Sequence, residues 1–332
     1  MMIAVDAHGG DYAPREVIKG AIEAAEDYKV DIALVGRKSI LQKLARSDGR
    51  RSNLTFIDAT QTIECKEDPF EAVSNKPDSS IVVGIKLVKD GIASAFVSAG
   101  NTGALTVAAF LNLGRIEGVQ RIAVCAVQGI NTANPVLIID AGVNADCQPS
   151  FLVQFAQLAT IFSRGVLGMS SPRVGLLNNG EEETKGNLLA KDTYQLLKKT
   201  NLNFIGNVEG QEVLKGKADV IVTDGFTGNI LIKTIEGLGS TFQDLLEAGE
   251  AIGLDHQLTG SALVHYMELA STAKQVDYQE LGGACVLGLN GNVIIAHGRS
   301  KAKAIKNAIH LAHRAARAGL VEALKNGDYV SE

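Results

Sequence analysis

Two stretches in opposite halves of the chain repeat one arrangement of donor-bearing residues. Val97–Leu105 reads VSAGNTGAL and Val222–Ile230 reads VTDGFTGNI. Each leaves an apolar run of strand length for a turn of Gly, Asn and Thr that opens a helical pattern. A helix start leaves backbone N–H groups unpaired and carries a partial positive charge, Gly admits a ligand to the backbone, and Asn or Thr supply further donors. The chain has no Walker A lysine motif, so the pair reads as one site, assembled from both halves, for a phosphate-like group. Asn101, Thr102 and Gly103 with Thr227, Gly228 and Asn229 are the candidates to donate to phosphate oxygens and to an oxyanion that develops during reaction. Ordinary helix capping uses the same residue types.

Further polar residues gather where other apolar runs end. DAHGGD (Asp6–Asp11), DAGVNAD (Asp140–Asp146), LLNNGEEETKG (Leu176–Gly186), GNVEG (Gly206–Gly210) and AHGRS (Ala296–Ser300) each follow a strand-like segment. In open parallel sheets ligands bind outside the carboxyl ends of strands, so these five turns and the two above are expected to converge on one crevice. Lys185, after Glu181, Glu182 and Glu183, can neutralise phosphate or pair with those glutamates. His297, beside Gly298 and Ser300, can donate to a reacting oxygen, shuttle a proton or hold its turn together. Asp6, His8 and Asp11 sit in a glycine turn that does not hold three side chains on one face as a helical HExxH does, so no metal is expected there. There is no GxSxG elbow and no cysteine in an activating setting, which disfavours a covalent protein nucleophile.

The elements that must position these residues are readable from periodicity. Apolar strand-length runs alternate with helix-period segments: strands at Met2–Ala7, Asp31–Gly36, Leu54–Ala59 and around Val97, with helices at Arg15–Tyr28, Ser39–Arg46, Ser80–Lys89 and Thr102–Leu113. Such alternation predicts an α/β fold with a largely parallel sheet covered on both faces. IAVCAV and PVLIID are separated by QGINTAN, too short for a helix, which predicts an antiparallel hairpin. Helices at Ser150–Phe162, Asn187–Lys199 and Gly228–Leu238, strands RVGLLN, NFIGNV and DVIVTDG, one strand over VLGLNGNVIIAHG and one long helix from Lys301 to Lys325 complete the chain. Residues 240–280 break the rhythm and read as a projecting helical hairpin.

Composition narrows the class. The chain has 332 residues, 46% hydrophobic, with 35 glycines and a net charge of −5: a globular protein, one large α/β domain or two closely joined lobes, whose overall field gives no support for nucleic-acid binding. Four scattered cysteines without a CxxC pair and an N-terminus without a signal-peptide pattern read as cytoplasmic. Ile92–Gly114 is uncharged but carries Asn101, Thr102 and Gly103 at its centre, so it reads as strand, turn and helix rather than a membrane span.

The ordered set DAHGGD, SAGNTGA, DAGVNAD, GLLNNGEEETKG, NFIGNVEG, DGFTGN and LGLNGNVIIAHGRS, running from Met2 to about residue 325, resembles the bacterial acyl carrier protein:phosphate acyltransferases of fatty-acid and phospholipid synthesis. The resemblance implies that inorganic phosphate takes a long-chain acyl group from acyl carrier protein, and that the acyl phosphate feeds a membrane glycerol-3-phosphate acyltransferase. It implies a three-layer α/β/α fold with a mostly parallel sheet, like that of isocitrate and isopropylmalate dehydrogenases, a homodimer, and no cofactor. It carries functional weight onto Asp6, Gly9, Gly10, Asp11, Asn101, Thr102, Gly103, Asn178, Lys185, Asp224, Gly228, Asn229, His297 and Gly298, with Ser98, Thr227 and Ser300 beside them. On this reading Lys185 neutralises charge, Asp224 or Asp6 orients donors, and His297 protonates the departing sulfur.

Two departures stand out. His8 occupies a position where the family more often carries Met, and the hairpin segment Ser240–Thr272 holds Asp244, Glu247, Glu250, Asp255 and Glu268 but no Lys or Arg, so weak peripheral contact with a membrane is expected rather than electrostatic anchoring. An acidic carrier protein needs a basic face, and the last helix offers Lys303, Lys306, Arg314 and Arg317. The competing readings are a phosphotransacetylase-like enzyme using acyl-CoA, a nicotinamide-dependent β-decarboxylating dehydrogenase, which would need an arginine cluster and paired metal-binding aspartates, and a noncatalytic acyl- or phosphate-binding module.

Overall fold

Successive residues of a strand point to opposite faces of its sheet, and here both faces are apolar. In the first strand Ile3 and Val5 join one core cluster while Ala4 joins another, the pattern of a strand covered on both sides. The computed structural model describes residues 1–47, 53–128, 135–251, 282–327 and 329. In its first half β1 (Met2–Asp6), α1 (Arg15–Tyr28), β2 (Asp31–Gly36), α2 (Lys38–Ser47), β3 (Leu54–Asp58), α3 (Pro69–Asn75), α4 (Ser80–Lys89), β4 (Ala95–Ser98) and α5 (Thr102–Leu113) follow one another. Then come β5 (Ala123–Gln128), β6 (Val136–Ile139), α6 (Pro149–Phe162), β7 (Val174–Asn178), α7 (Leu188–Leu197), β8 (Phe204–Glu209), α8 (Gly210–Val213), β9 (Val220–Val222) and α9 (Gly225–Ala251). The chain closes with β10 (Ala284–Leu287), β11 (Asn292–Ile295), α10 (Ala302–Arg317) and α11 (Leu320–Lys325).

The described strands join one 11-stranded sheet in the order β3-β2-β1-β4-β11-β10-β5-β6-β9-β7-β8. Helices α1, α6, α10 and α11 pack on one face, α3, α4, α5 and α9 on the other, giving the three-layer α/β/α arrangement. Pairing is parallel on both flanks, while β10 pairs antiparallel with β11 and β5, and β5 antiparallel with β6. The expected IAVCAV–PVLIID hairpin is therefore present.

That central reversal alters one expectation. β6, β9, β7 and β8 run opposite to β1, β2, β4 and β11, so the turns after all four of them, DAGVNAD and DGFTGN included, lie at the other end of the sheet from DAHGGD, SAGNTGA and AHGRS. The seven strand-end turns do not share one edge. Two further segments differ. VLGLNGNVIIAHG is the hairpin β10–β11, joined through residues 288–291, where Gly288 takes a positive φ of 92°. The last helix is two, because Gly319 adopts a left-handed conformation (φ 62°) between α10 and α11. The expected projecting hairpin lies largely outside the described residues; its described part is α9 continuing to Ala251. Among the described residues one helical stretch, Pro149–Leu167, is long and apolar enough to cross a membrane, and it is mostly buried beneath the sheet.

Close helix–sheet contact explains one glycine: a Cβ on Gly84 of α4 would overlap the fully buried ring of Phe96 on β4. Gly84→Ala is expected to lower unfolding free energy by about 1–3 kcal/mol through overpacking, against a helix-propensity gain of under about 1 kcal/mol; denaturant titration checks the net sign.

Candidate active site

Between α5 and α9, on one face of the central strands, lies a cleft of about 830 Å³. Its floor is apolar sheet, with Val124 and Ala126 from β5, Ala284 from β10 and Ile295 from β11; Ile232 of α9 and Val107 of α5 add apolar walls. Gln128 of β5, Thr106 of α5 and the turn 141–143 also border it, and three further segments supply polar groups. Gly100–Gly103 enter at the start of α5, Asn229, Lys233 and Glu236 lie along α9, and His297, Gly298 and Ser300 follow β11.

Asn101 caps α5 by accepting from the Ala104 N–H at 2.9 Å. Its Nδ2 donates to the carbonyls of Glu64, Cys65 and Glu67 at 3.2, 3.3 and 3.2 Å. The side chain expected to donate to a ligand instead clamps the 64–67 loop against the helix start. The N–H groups of Thr102 and Gly103 take no acceptor among the described residues, so the open anion cradle here is backbone at a helix N-terminus.

Behind this turn sits Asp6, 2% exposed. It accepts from the N–H groups of His8 and Gly9, both at 3.0 Å, and from the Ser98 hydroxyl at 2.7 Å. Ser98 Oγ in turn accepts from the Gly100 N–H at 3.0 Å. A Cβ on Gly9 would crowd Asp6 Oδ2 and the Gly100 nitrogen, and Gly10 (φ 102°) lets the Asp11 N–H reach the Gly298 carbonyl at 2.8 Å. Asp6, Gly9, Gly10, Asp11 and Ser98 thus support the loops that line the cleft without lining it. His8 Nε2 accepts from the Arg37 N–H at 2.9 Å; burial holds its pKa below the usual imidazole value, with Asp6 opposing and Arg37 reinforcing that shift.

The second expected cradle is closed by its own residues. Asp224 accepts from both the N–H and the hydroxyl of Thr227 at 2.8 Å, and the Gly225 N–H donates to the Asn144 carbonyl at 2.7 Å. Gly228 has no side chain because the Asp140 carbonyl presses against it. Asp140, fully buried, collects the N–H groups of Val124, Gly142, Val143 and Asn144 and the Asn144 side-chain amide. Asp224, Thr227 and Gly228 therefore seat α9, and the residue they deliver to the cleft is Asn229, whose amide makes no hydrogen bond among the described residues. Nearby Cys147 is pushed up to about 12, first by burial and then by Asp140, a thiol unsuited to nucleophilic attack.

Asn178 and Lys185 lie apart from the cleft at the end of β7, where Asn178 Nδ2 donates to the Lys185 carbonyl at 3.2 Å. The neighbouring Glu181 and Glu183 pair with Lys217 and Lys198. Among the described lining residues the fixed positive charge is Lys233, with no arginine. Glu236 Oε2 stands 3.5 Å from His297 Nε2. His297 Nδ1 accepts from the Arg299 N–H at 3.1 Å, so a neutral ring carries its proton on Nε2, facing Glu236. Sequence reasoning missed Lys233 and Glu236, although Asn229, Lys233 and Glu236 follow the spacing of four and three that marks one helix face. The 64–67 loop carried no comparable signal.

A family profile described as fatty acid synthesis protein matches residues 1–323. A phosphate acyltransferase of Dehalococcoides mccartyi is 51% identical over 320 residues, 96% of this chain and 92% of that protein. One from Dictyoglomus thermophilum is 46% identical, covering 95% of this chain and 94% of its own. The chain belongs to the phosphate acyltransferase family. It is an acyltransferase of fatty acid synthesis. Among solved structures, EutD phosphotransacetylase from Staphylococcus aureus aligns with TM-score 0.62 at 16% identity, over 95% of this chain and 94% of that one. A 4-hydroxythreonine-4-phosphate dehydrogenase from Klebsiella pneumoniae aligns with TM-score 0.53 at 15% identity, over 95% and 99%. Both share the fold, which is dehydrogenase-like.

The two cleft asparagines are held differently in this acyltransferase, Asn101 by four hydrogen bonds and Asn229 by none among the described residues. Asn101→Ala is expected to cost about 1 kcal/mol of stability, by losing a cap and releasing the 64–67 loop, whereas Asn229→Ala should stay within about 0.5 kcal/mol of wild type. Urea titration of both variants is the check.

His8 has the opposite pH sign to an ion-paired histidine. Its folded pKa lies below 6.5, so its contribution is present above that value and declines as pH falls below it. His8→Gln should flatten that decline, read as the difference in melting temperature between about pH 7.5 and pH 5.

Proposed function

We propose that the cleft makes acyl phosphate from inorganic phosphate and a long-chain acyl thioester carried on acyl carrier protein. The observation that carries this reading is the pairing, in one cavity, of an anion cradle with an apolar floor: the free N–H groups of Thr102 and Gly103 stand beside sheet residues such as Val124, Ala126 and Ile295. The cradle suits a phosphate dianion and the floor suits an alkyl chain.

Phosphate dianion is itself a nucleophile, so positioning supplies much of the catalysis. A phosphate oxygen attacks the thioester carbonyl, and the electron pair of the C=O bond moves onto oxygen. The amide of Asn229, seated at the start of α9, donates to that oxyanion. Collapse of the intermediate re-forms the carbonyl and breaks the C–S bond. The thiolate leaves with a hydrogen bond from the His297 Nε2–H, which Glu236 orients, and takes its proton from the P–OH of the phosphate, made more acidic by acylation. Lys233 offsets the charge of phosphate in the role first assigned to Lys185. The absence of arginine among the described lining residues weighs against the dehydrogenase reading, which needs a cationic cluster for a di- or tricarboxylate. A cytoplasmic homodimer that passes its product to a membrane glycerol-3-phosphate acyltransferase, with loose contact at the bilayer, completes the proposal.

Purified protein incubated with phosphate and palmitoyl-acyl carrier protein is expected to form a hydroxylamine-trappable acyl phosphate without added metal or nicotinamide. No product with a competent carrier protein would overturn the reading. Lys233→Met should raise KM for phosphate about ten- to a hundredfold, the scale of one lost charge-assisted hydrogen bond, with little change in melting temperature. Asn229→Ala should lower kcat about ten- to a thousandfold, the scale of one lost oxyanion donor.

A further inference from the structure

The segment that closes the cleft after β11 has two sides. His297, Gly298, Ser300 and Ala304 line the cavity, while Arg299, Lys301 and Lys303, interleaved with them, are exposed. From Arg299 to Val321 the chain contains Arg299, Lys301, Lys303, Lys306, Arg314 and Arg317 and no Asp or Glu, in a protein of net charge −5. Six of the 32 Lys and Arg thus follow one another without an intervening acidic residue, and the first three alternate with residues at the cavity's edge.

The cations further along α10 are differently placed. Lys306 is tied to Asp27 of α1 at 2.5 Å. Arg314 donates to the Val166 carbonyl, and Arg317 borders a separate hollow with Tyr28 and His313. Arg314 lies about 15 Å along the helix from Ala304, at 1.5 Å rise per residue. On the near side, the Lys301 ammonium sits 5.6 Å from the ring centre of Tyr12, and Tyr12 is itself 45% exposed. Tyr is enriched among the residues that anchor protein interfaces.

We propose that Arg299, Lys301 and Lys303, with Tyr12 as apolar anchor, form the docking rim for an acidic carrier protein, which thereby delivers its acyl thioester past His297 into the cleft. This rests on the acyl-transfer reading given above and adds the surface that selects the donor. A protein of net negative charge repels an acidic partner at long range, so productive encounter needs a local positive patch, and a patch contiguous with the cavity also orients the thioester. The last-helix face expected from sequence is accordingly divided: Lys303 belongs to the rim, and Lys306, Arg314 and Arg317 do not.

The test compares Arg299→Glu/Lys301→Glu/Lys303→Glu with Lys306→Glu/Arg317→Glu. Side-chain reversal at Arg299 retains the backbone N–H that donates to His297. Binding of fluorescently labelled acyl carrier protein is read by anisotropy, independently of turnover, and KM is measured for palmitoyl-acyl carrier protein and for palmitoyl-pantetheine. The rim variant should weaken carrier binding and raise the carrier KM at least about tenfold at low salt, with the difference shrinking as salt screens the charges. It should leave the KM for palmitoyl-pantetheine within about twofold of wild type, as expected of an electrostatic rim that touches only the protein partner. The far-end variant should match wild type in both assays. Equal effects on both thioesters, an unaffected rim variant, a far-end variant impaired as much as the rim variant, or a wild-type protein that does not bind the carrier at all would each overturn the docking assignment. Carrier binding lost in the rim variant while wild type forms no acyl phosphate would instead retain the docking surface and overturn the proposed reaction. Circular dichroism melting identifies a variant that has lost its fold; Lys301→Gln with Lys303→Gln then supplies the same comparison with smaller charge change.

Discussion

Antiparallel pairing of β10 with β11 and of β5 with both β10 and β6 is the constraint on which the remaining geometry depends. It divides one continuous sheet into two parallel flanks of opposite direction. Helix α9 therefore starts at one end of the sheet and runs back across its face, carrying Asn229, Lys233 and Glu236 about 10 Å along the cleft at 1.5 Å per residue until Glu236 meets His297, which arrives from the opposite flank. A wholly parallel sheet of this chain would place its loops along one edge; this one places its cleft over the central strands, where an apolar floor is available for a hydrocarbon chain.

Two buried carboxylates hold the two sides of that cleft. Asp6 organises the turn after β1 and, through Ser98, the turn that begins α5. Asp140 gathers the N–H groups of Val124 on β5 and of Gly142, Val143 and Asn144 after β6, and seats α9 by way of Asn144. A carboxylate with this many donors replaces its hydration shell by fixed dipoles, and loops that would otherwise be mobile become rigid. Residues that look catalytic by type can thus serve the site entirely from behind it.

The cleft has little charge of its own. Its side-chain charges among the described lining residues are Lys233 and Glu236, with His297 beside Glu236. A nucleophile that arrives as a dianion needs modest neutralisation and good positioning, and the N–H groups at the start of α5 add partial positive charge without a counter-ion. The apolar floor raises the strength of each of these interactions by excluding water.

Local sequence determined the elements, because strand and helix periodicity follow from which faces are buried: α1 and α5 fall on Arg15–Tyr28 and Thr102–Leu113 as the pattern predicts. Asn101, Thr102, Gly103, Asn229, His297, Gly298 and Ser300, each read where an apolar run ends, line one cleft although their turns do not share one edge of the sheet. The breaks within VLGLNGNVIIAHG and at Gly319 were not read, because the apolar pattern on either side continues across them and reads as one strand and one helix. Strand direction was not, because a strand's own side chains read the same whichever way its neighbour runs. The tertiary structure alone therefore decided that Lys185 and Asn178 stand away from the cleft, that Lys233 takes the place at its wall, and that the Asn101 amide is spent on three carbonyls of the 64–67 loop. Hydrogen-bond partners distant in sequence are chosen by the packing of whole layers, and no local pattern encodes them.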